Sequence, residues 1–413
     1  RNRTFQCQES VQCEDTLHCI RGTCQCYVAE YWTQTACAKN ICAVEQCMNC
    51  AKCMISGHSS RCICKDGYLG DKCQYANGRA RDFIVIFPQT TSSTSPRILL
   101  AVNRRVHLSV FYFANNKNLS VTLSSSDNYY TLDKNVLMTN GLNQAGAKVH
   151  SNVPINQLYG FLFVRAQSEG FLVFPSRYVS TEYIVPSFSV FCSSCQSLFA
   201  LTSVYSNTKI EINFRIQDGS AVFGNKQYSN NETLVLVLNM NTAFQIWHTS
   251  DLIGTRITAS KPLLVVSGHK YNRINGKGAG QTFLEMVLPT NQLDNVYVIP
   301  YLNYRLENTV RVLAVNDTNV ALKNVNNRTT HVLKSRDFLG YFHSTISYVS
   351  STSDVMVHIY PHELPNAHGD AFMMTIPGIN QYLYDYEIMV PIDFESFISI
   401  TVPTNAVEGF VLD

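Results

Sequence analysis

Several things are scarce in this chain, and each scarcity excludes something. No run of eighteen apolar residues occurs in its 413 positions, so nothing reads as a membrane-spanning helix. Charged residues make up 15% and the net charge is +2, against roughly a quarter charged in ordinary soluble domains. A nearly neutral chain carries no electrostatic footprint for a nucleic acid. No stretch of about twelve residues keeps a 3.6-residue apolar period, which predicts almost no helix. The motifs of common catalysts are missing as well: no GxSxG, no phosphate-cradling glycine loop, no paired carboxylates. The expectation is a protein that is not an enzyme and needs no cofactor. Cysteine nearly vanishes after residue 73, where only Cys192 and Cys195 remain.

What is present is a dense cysteine segment and a β-rich remainder. Thirteen of the 15 cysteines fall within the first 73 residues. That density implies disulfides, which persist in an oxidising compartment. Five Asn-x-Ser/Thr sequons, at Asn2, Asn118, Asn231, Asn316 and Asn327, are N-glycosylation acceptors and point to the same compartment. The chain begins at Arg1 without a signal-peptide core and is expected to be a processed, secreted product.

The cysteines fall into two groups of six. Cys42, Cys47, Cys53, Cys62, Cys64 and Cys73 are separated by 4, 5, 8, 1 and 8 residues, and the group ends in CICKDGYLGDKC. This resembles the EGF-like module, a resemblance that implies the pairs Cys42–Cys53, Cys47–Cys62 and Cys64–Cys73. Cys7, Cys13, Cys19, Cys24, Cys26 and Cys37, with gaps of 5, 5, 4, 1 and 10, look EGF-like too, without the Gly-aromatic ending. There the resemblance implies Cys7–Cys19, Cys13–Cys24 and Cys26–Cys37. Neither group has the acidic residues that calcium-binding EGF-like modules place before their first cysteine, so no metal is expected. Cys50 is left over. If Cys192 pairs with Cys195, Cys50 either bonds a second chain, carries a small-molecule cap or takes part in a shuffled pairing.

From residue 78 onward, short alternating runs such as KIEINFRI (209–216), ETLVLVLN (232–239) and PLLVVSGH (262–269) read as strands between turns. Three markers recur in the same order. SEGFLVF, SKPLLVV and SDVMVHI begin at Ser168, Ser260 and Ser353, spaced by 92 and 93 residues. YIVP, YVIP and YEIMVP begin at Tyr183, Tyr297 and Tyr386. LTSVYSNTKIEI (201–212), VLAVNDTNVAL (312–322) and ITVPTNAVEGFV (400–411) form the third set. The expected organisation is two EGF-like modules (1–39 and 40–77), three β repeats (78–182, 183–296 and 297–385) and the start of a further repeat (386–413). A unit of about 100 residues closes one antiparallel sandwich with its own core; a β-propeller of four-stranded blades is the alternative.

At this level DLIGTRITASKPLLVVSGH (251–269), FLEMVLPTNQLDNVYVIPYL (283–302) and GDAFMMTIPGINQY (369–382) resemble the N-terminal domain family of the IgG-Fc-binding proteins over roughly residues 79–413. The resemblance implies a secreted, non-enzymatic protein of mucus or extracellular matrix. One departure matters. Where that family carries two cysteines after the Ser-Gly-His turn, this chain has Lys270 and Tyr271, with no cysteine up to Phe283, so Fc binding does not carry over.

Three further groups bear on function. Cys192-Ser-Ser-Cys195 has thiol–disulfide spacing, but between strand-like runs it reads as a turn disulfide, because a redox thiol needs a helix N-terminus to lower its pKa. His358, His362 and His368 are interrupted by prolines and read as solvated loop histidines rather than zinc ligands. His269 reads as the solvated end of a strand. The segment after it, with Lys270, Tyr271, Asn272 and Arg273, is the candidate binding loop. The function expected is structural or adhesive, with extracellular proteins, glycans or further copies of this chain as partners. The alternatives are a humoral factor recognising microbes or immunoglobulin-like partners, and a thiol–disulfide enzyme using Cys192 and Cys195.

Overall fold

The computed structural model describes residues 18–21, 23–25, 30–32, 37–39, 47–48, 51–56, 59–64, 68–69, 72–73, 75–76 and 78–409, the last range without 91–93, 102–103, 125–126, 128, 164–167, 275–279, 304, 306, 325–326, 365–368, 384–385 and 389–396. The chain forms two compact units, Arg1–Arg79 with Leu383–Tyr386, and Ala80–Tyr382 with Glu387–Asp413. It is all-β: short 3₁₀ turns are the only helical elements among the described residues. Among the described residues no helix is long and apolar enough to cross a membrane.

Among the described residues the first unit contains four two-stranded antiparallel pairs: β1 (His18–Ile20) with β2 (Thr23–Gln25), β3 (Glu30–Trp32) with β4 (Cys37–Lys39), β5 (Lys52–Ser56) with β6 (Ser59–Ile63), and β7 (Tyr68–Leu69) with β8 (Tyr75–Ala76). Two-stranded ribbons bury too little to hold on their own, and covalent links take over. Cys47 is joined to Cys62 and Cys64 to Cys73, with Cα atoms 5.6 and 5.3 Å apart. Cys19, Cys24 and Cys53 are also disulfide-bonded. Cys7, Cys13, Cys26, Cys42, Cys50 and Asn2 lie outside the described residues.

The second unit repeats one strand plan three times. The first copy holds β9 (Ala80–Val85), β10 (Ser95–Leu100), β11 (Val106–Tyr112), β12 (Lys117–Leu123), β13 (Tyr129–Thr131), β14 (Gly141–Asn143), β15 (Ala147–Ile155), β16 (Leu158–Phe163) and β17 (Glu169–Val173). The second holds β18 (Ser180–Ile184), β19 (Gln196–Ser203), β20 (Thr208–Asn213), the hairpin β21 (Ala221–Phe223) and β22 (Lys226–Tyr228), β23 (Thr233–Leu238), β24 (Ala243–His248), β25 (Arg256–Asn272) and β26 (Gln281–Met286). The third holds β27 (Asp294–Ile299), β28 (Asn308–Ala314), β29 (Thr318–Asn324), β30 (Arg328–Leu333), β31 (Phe338–His343), β32 (Ser347–Pro361) and β33 (Met374–Thr375).

The pairings correspond except that β14 of the first copy pairs with β24 of the second and, among the described residues, the β21–β22 hairpin stands alone. The first copy is two four-stranded sheets, ordered β12-β11-β15-β9 and β13-β10-β16-β17. In the other copies β15 and β16 are replaced by one long strand, β25 or β32. Its first half pairs with the opening strand of the copy (β18 or β27) and with β20 or β29; its second half pairs with β19 or β28 and with β26 or β33. One strand thus serves both layers, and the two sheets fuse into one sheet of seven strands in each of these copies, extended to eight in the second by β14 from the first copy. In the first copy Pro154, which has no amide to donate, and Asn156-Gln157 fall at the corner, and the strand divides there.

This plan corrects one of the repeat markers. Ser260 and Ser353 lie inside β25 and β32, but Ser168 precedes β17, the topological equivalent of β26 and β33. The first-copy counterpart of the long strand is 147–163. The tyrosine marker holds at finer detail. Tyr183 and Tyr297 are buried, and each hydroxyl accepts the amide three residues earlier, from Ser180 or Asp294, and donates to Leu263 O or Val355 O on the long strand. Phe83 is the first-copy equivalent. Tyr386 accepts the amide of Leu383, again three residues earlier.

Burial alternates as a pleated strand requires; in β23 Leu234, Leu236 and Leu238 point inward and Thr233, Val235 and Val237 outward. The cores are shared between copies. Leu198, Ala200, Leu264, Val266, Leu284 and Met286 of the second copy complete the core of the first, and Leu313, Val315 and Met356 of the third join that of the second. Each leucine, valine or methionine among these contributes about 1.5–3 kcal/mol on burial, so a copy without its neighbour would leave apolar surface uncovered.

Candidate functional site

Between β18 and β19 the chain leaves the sheets. Residues 185–191 (VPSFSVF) run without strand pairing and lead into the turn Cys192-Ser-Ser-Cys195, closed by a Cys195 N–H···O=C Cys192 bond of 3.0 Å and by the Cys192–Cys195 disulfide. Buried backbone outside a ladder must still satisfy its polar groups, and here side chains do so. From β25, Ser267 Oγ donates to Pro186 O, His269 Nε2 to Phe188 O at 2.9 Å, and Asn272 Nδ2 to Ser189 O at 2.9 Å, while Asn272 Oδ1 accepts the amide of Phe191 at 3.2 Å. From the third copy, Arg311 Nη1 and the Tyr360 hydroxyl both donate to Ser187 O, each at 2.9 Å.

Arg311 is the centre of this bed. Its side chain is 7% exposed, and it pairs with Asp251 Oδ2 at 2.7 Å and donates to Ser189 Oγ at 2.8 Å. Its guanidinium stacks over the rings of Phe188 and Phe338, 4.4 and 4.3 Å from their centroids. A buried guanidinium is stable only with its charge paired and its donors used, and both conditions are met.

His269 has a structural part. It is fully buried, and because Phe188 O can only accept, Nε2 carries the proton. Nδ1 is buried without a hydrogen-bond partner. Burial pushes its pKa down to about 4, against a smaller opposing effect of the Phe188 bond, so the ring is neutral at neutral pH. The solvated strand end inferred from sequence is therefore wrong. Its turn-like Ser-Gly-His is strand interior, and Gly268 is required because Phe283 O lies 1.8 Å from where a Cβ would stand.

The other histidines also depart from expectation. His358 is buried, bonded to Thr375 Oγ1 at 3.1 Å, and burial pushes it down to about 3. His362 is 8% exposed and meets Thr309 Oγ1 at 2.9 Å and Glu307 Oε2 at 3.4 Å. Each has a separate partner; His368 lies outside the described residues. No group of three metal-ligating side chains occurs among the described residues.

Lys270, Tyr271 and Asn272 still belong to β25, which ends at Asn272, and β26 begins at Gln281. Asn272 is fully buried; Lys270, Tyr271 and Arg273 are half-buried. Tyr271 is the register partner of Gln196, the residue after the disulfide turn. The fold thus sets side by side the two features that the sequence presents 75 residues apart. Above the bed, Phe191 is 43% exposed, and Ser193 and Ser194 are exposed. Sequence reasoning missed Arg311 and Asp251, isolated charges in ordinary-looking strand and turn segments. Ser187 Oγ lies 3.4 Å from His269 Nε2, but that nitrogen carries its proton toward Phe188 O and so cannot act as a base on the hydroxyl. The disulfide is followed directly by β19, not by a helix whose N-terminus would favour a thiolate. What the site presents chemically is a rigid apolar and hydroxyl-bearing knob.

Two more buried groups recur at the copy boundaries. Glu169 Oε1 on β17 accepts the amide of Leu284 on β26 at 3.1 Å, and Glu285 Oε1 on β26 accepts the amide of Thr375 on β33 at 3.3 Å. Burial raises both carboxyls, Glu285 to about 8.

A human protein named IgGFc-binding protein is 27% identical over 135 residues, 32% of this chain, and the match spans 2% of that relative's length. Two solved structures, a bacterial ice-binding adhesin and a calcium-stabilised adhesin with which an Antarctic bacterium binds ice, align at 7% identity. They cover 67% and 72% of this chain and 86% and 73% of their own, with TM-scores of 0.13 and 0.12, too low to indicate a shared fold. Residues 169–413, from β17 through the third copy to the end of the chain, match the family described as IgGFc binding protein, and the chain belongs to that family.

Proposed function

We propose that the chain is a secreted, non-enzymatic binding protein of mucus, extracellular matrix or a surface coat, and that its contact surface is the Phe191–Cys195 turn together with Lys270, Tyr271 and Arg273. The observation that carries this is the mismatch between support and exposure. Six side-chain bonds from β25 and the third copy hold the backbone of residues 186–191, yet the aromatic ring at the end of that segment remains 43% exposed. A preorganised exposed aromatic binds with little ordering cost, and such residues dominate interface energetics. The EGF-like cysteine spacing and the sequons support the extracellular setting. Crosslinking through Cys50 would add copies of this chain as partners.

The test is surface-plasmon binding of the secreted chain to solubilised mucus and matrix glycoproteins and to IgG Fc. F191A or Y271A should weaken a detected interaction at least about tenfold, the loss of about 1.4 kcal/mol or more typical of an interface anchor. Binding unaffected by either substitution refutes the site. Binding to Fc through this surface would favour the humoral reading instead. Insulin-disulfide reduction that is abolished in C192S/C195S would favour the thiol–disulfide reading.

A further inference from the structure

Three of the sequons occupy corresponding places in the three copies. Asn118 is the second residue of β12, Asn231 lies two residues before β23, and Asn327 immediately precedes β30. All three are exposed. These strands are topological equivalents: each pairs on one side only, with β11, β20 and β29, and each ends its sheet's strand order among the described residues. The sequons are 113 and 96 residues apart, so the match is evident only from the strand plan.

An open edge presents unpaired amides and carbonyls and invites strand addition by another chain. The hazard is concrete here. β23 reads TLVLVL, with no proline and no charge, and exposes Val235 at 52% and Val237 at 60%. β30 exposes Val332 at 74%. Proteins usually blunt such edges with charges, prolines or bulges; β23 has none within the strand. At Asn118 and Asn231 the side-chain oxygen is engaged with the fold, accepting from Ser109 Oγ at 2.8 Å and Arg336 Nη1 at 3.3 Å. The glycan-bearing nitrogen is the other branch of the amide.

We propose that Asn118, Asn231 and Asn327 carry N-linked glycans whose shared role is to close the open strand edge of each copy against pairing with another chain. In the attachment step the Asn Nδ2–sugar C1 bond forms as the glycosyl–pyrophosphate bond of a lipid-linked oligosaccharide donor breaks. One amide proton is lost, the pyrophosphate leaves with the bonding pair, and no oxidant or reductant is needed. A bulky, hydrated oligosaccharide at the start of the edge strand blocks an incoming strand sterically. Asn316, in the β28–β29 turn, stands next to Asp317, which pairs with Lys334 just beyond the far end of β30. A sugar there would guard the other end of the same edge.

This inference rests on the secreted reading, and the experiment separates the two. The full chain is expressed in a glycosylating eukaryotic secretory cell and its peptides are mapped by mass with and without peptide-N-glycosidase. The folded glycoprotein is then deglycosylated natively and followed by light scattering and thioflavin fluorescence. Occupancy is expected at all three asparagines. After deglycosylation the weight-average mass should rise to at least twice the monomer's. The enzyme leaves aspartate, whose charge opposes association, so the expected effect is a conservative one. V235K/V237K/V332K should keep the deglycosylated chain monomeric. Working on protein that has already folded avoids confusing shielding with folding. Failure to be secreted refutes the secreted reading and with it this one. Secretion with the three sequons empty, or a deglycosylated chain that stays monomeric, overturns this inference alone, as does association that the lysine substitutions leave unchanged.

Discussion

Replacing Arg311 by methionine isolates the contribution of the third copy to the knob. The substitution keeps much of the volume between Phe188 and Phe338 while removing the charge and its bonds to Ser187 O, Ser189 Oγ and Asp251. Asp251 is only 13% exposed and would be left as a buried, uncompensated carboxylate. Breaking a buried pair on one side costs about 3–5 kcal/mol. A stacked repeat array need not unfold in one step, so the loss is best read locally, by hydrogen exchange of peptides covering residues 186–195. The Phe191 amide, bonded to Asn272 Oδ1, is the most direct reporter. At about 1.4 kcal/mol per tenfold, opening should become roughly a hundredfold to a few thousandfold more frequent. R311M/D251N, which removes the stranded charge, should recover part of that. Exchange within about threefold of wild type in R311M would show that Arg311 does not hold the segment.

Three other outcomes follow from the same geometry. Glu285 is raised in the fold to about 8, so the native chain keeps a proton that the unfolded chain releases above its ordinary value. Its stabilising contribution is complete at acid pH and is lost as pH rises toward 8; E285Q should flatten the fall in melting temperature between pH 5 and 8. His269 is depressed to about 4, so stability is lost as pH falls from about 6.5 to 4. H269Q should lessen that acid-side loss in urea titrations while costing about 1–3 kcal/mol at neutral pH for the disturbed Phe188 carbonyl. Y183F and Y297F each strand one buried amide and one carbonyl, and each should cost about 1–3 kcal/mol in chemical denaturation. Unequal losses would mean that the two copies do not use the tyrosine alike.

The all-β class was legible because alternating runs such as ETLVLVLN can hide one side only as strands. The repetition was legible because the tyrosine, fixed by an amide three residues earlier and a carbonyl on the long strand, recurs as YIVP and YVIP. The Ser168 marker misled because an alternating apolar run looks the same whether it is the long strand or the one beside it; only pairing tells them apart. His269 misled for a related reason. Ser-Gly-His reads as a turn when glycine is taken for flexibility, whereas Gly268 is there because the Phe283 carbonyl lies against it.

The sequence by itself determined the local terms: strand periodicity, the cysteine-dense N-terminal segment, the recurring tyrosine and the positions of the sequons. Tertiary structure alone decided which of these terms meet. It brought Arg311 and Asp251, 60 residues apart, together under residues 186–191, set Tyr271 beside the Cys192–Cys195 turn, and put three unevenly spaced sequons on the same edge of successive copies. Those outcomes depend on contacts between strands distant along the chain. Periodicity specifies which face of a strand is buried, but not which strand lies beside it.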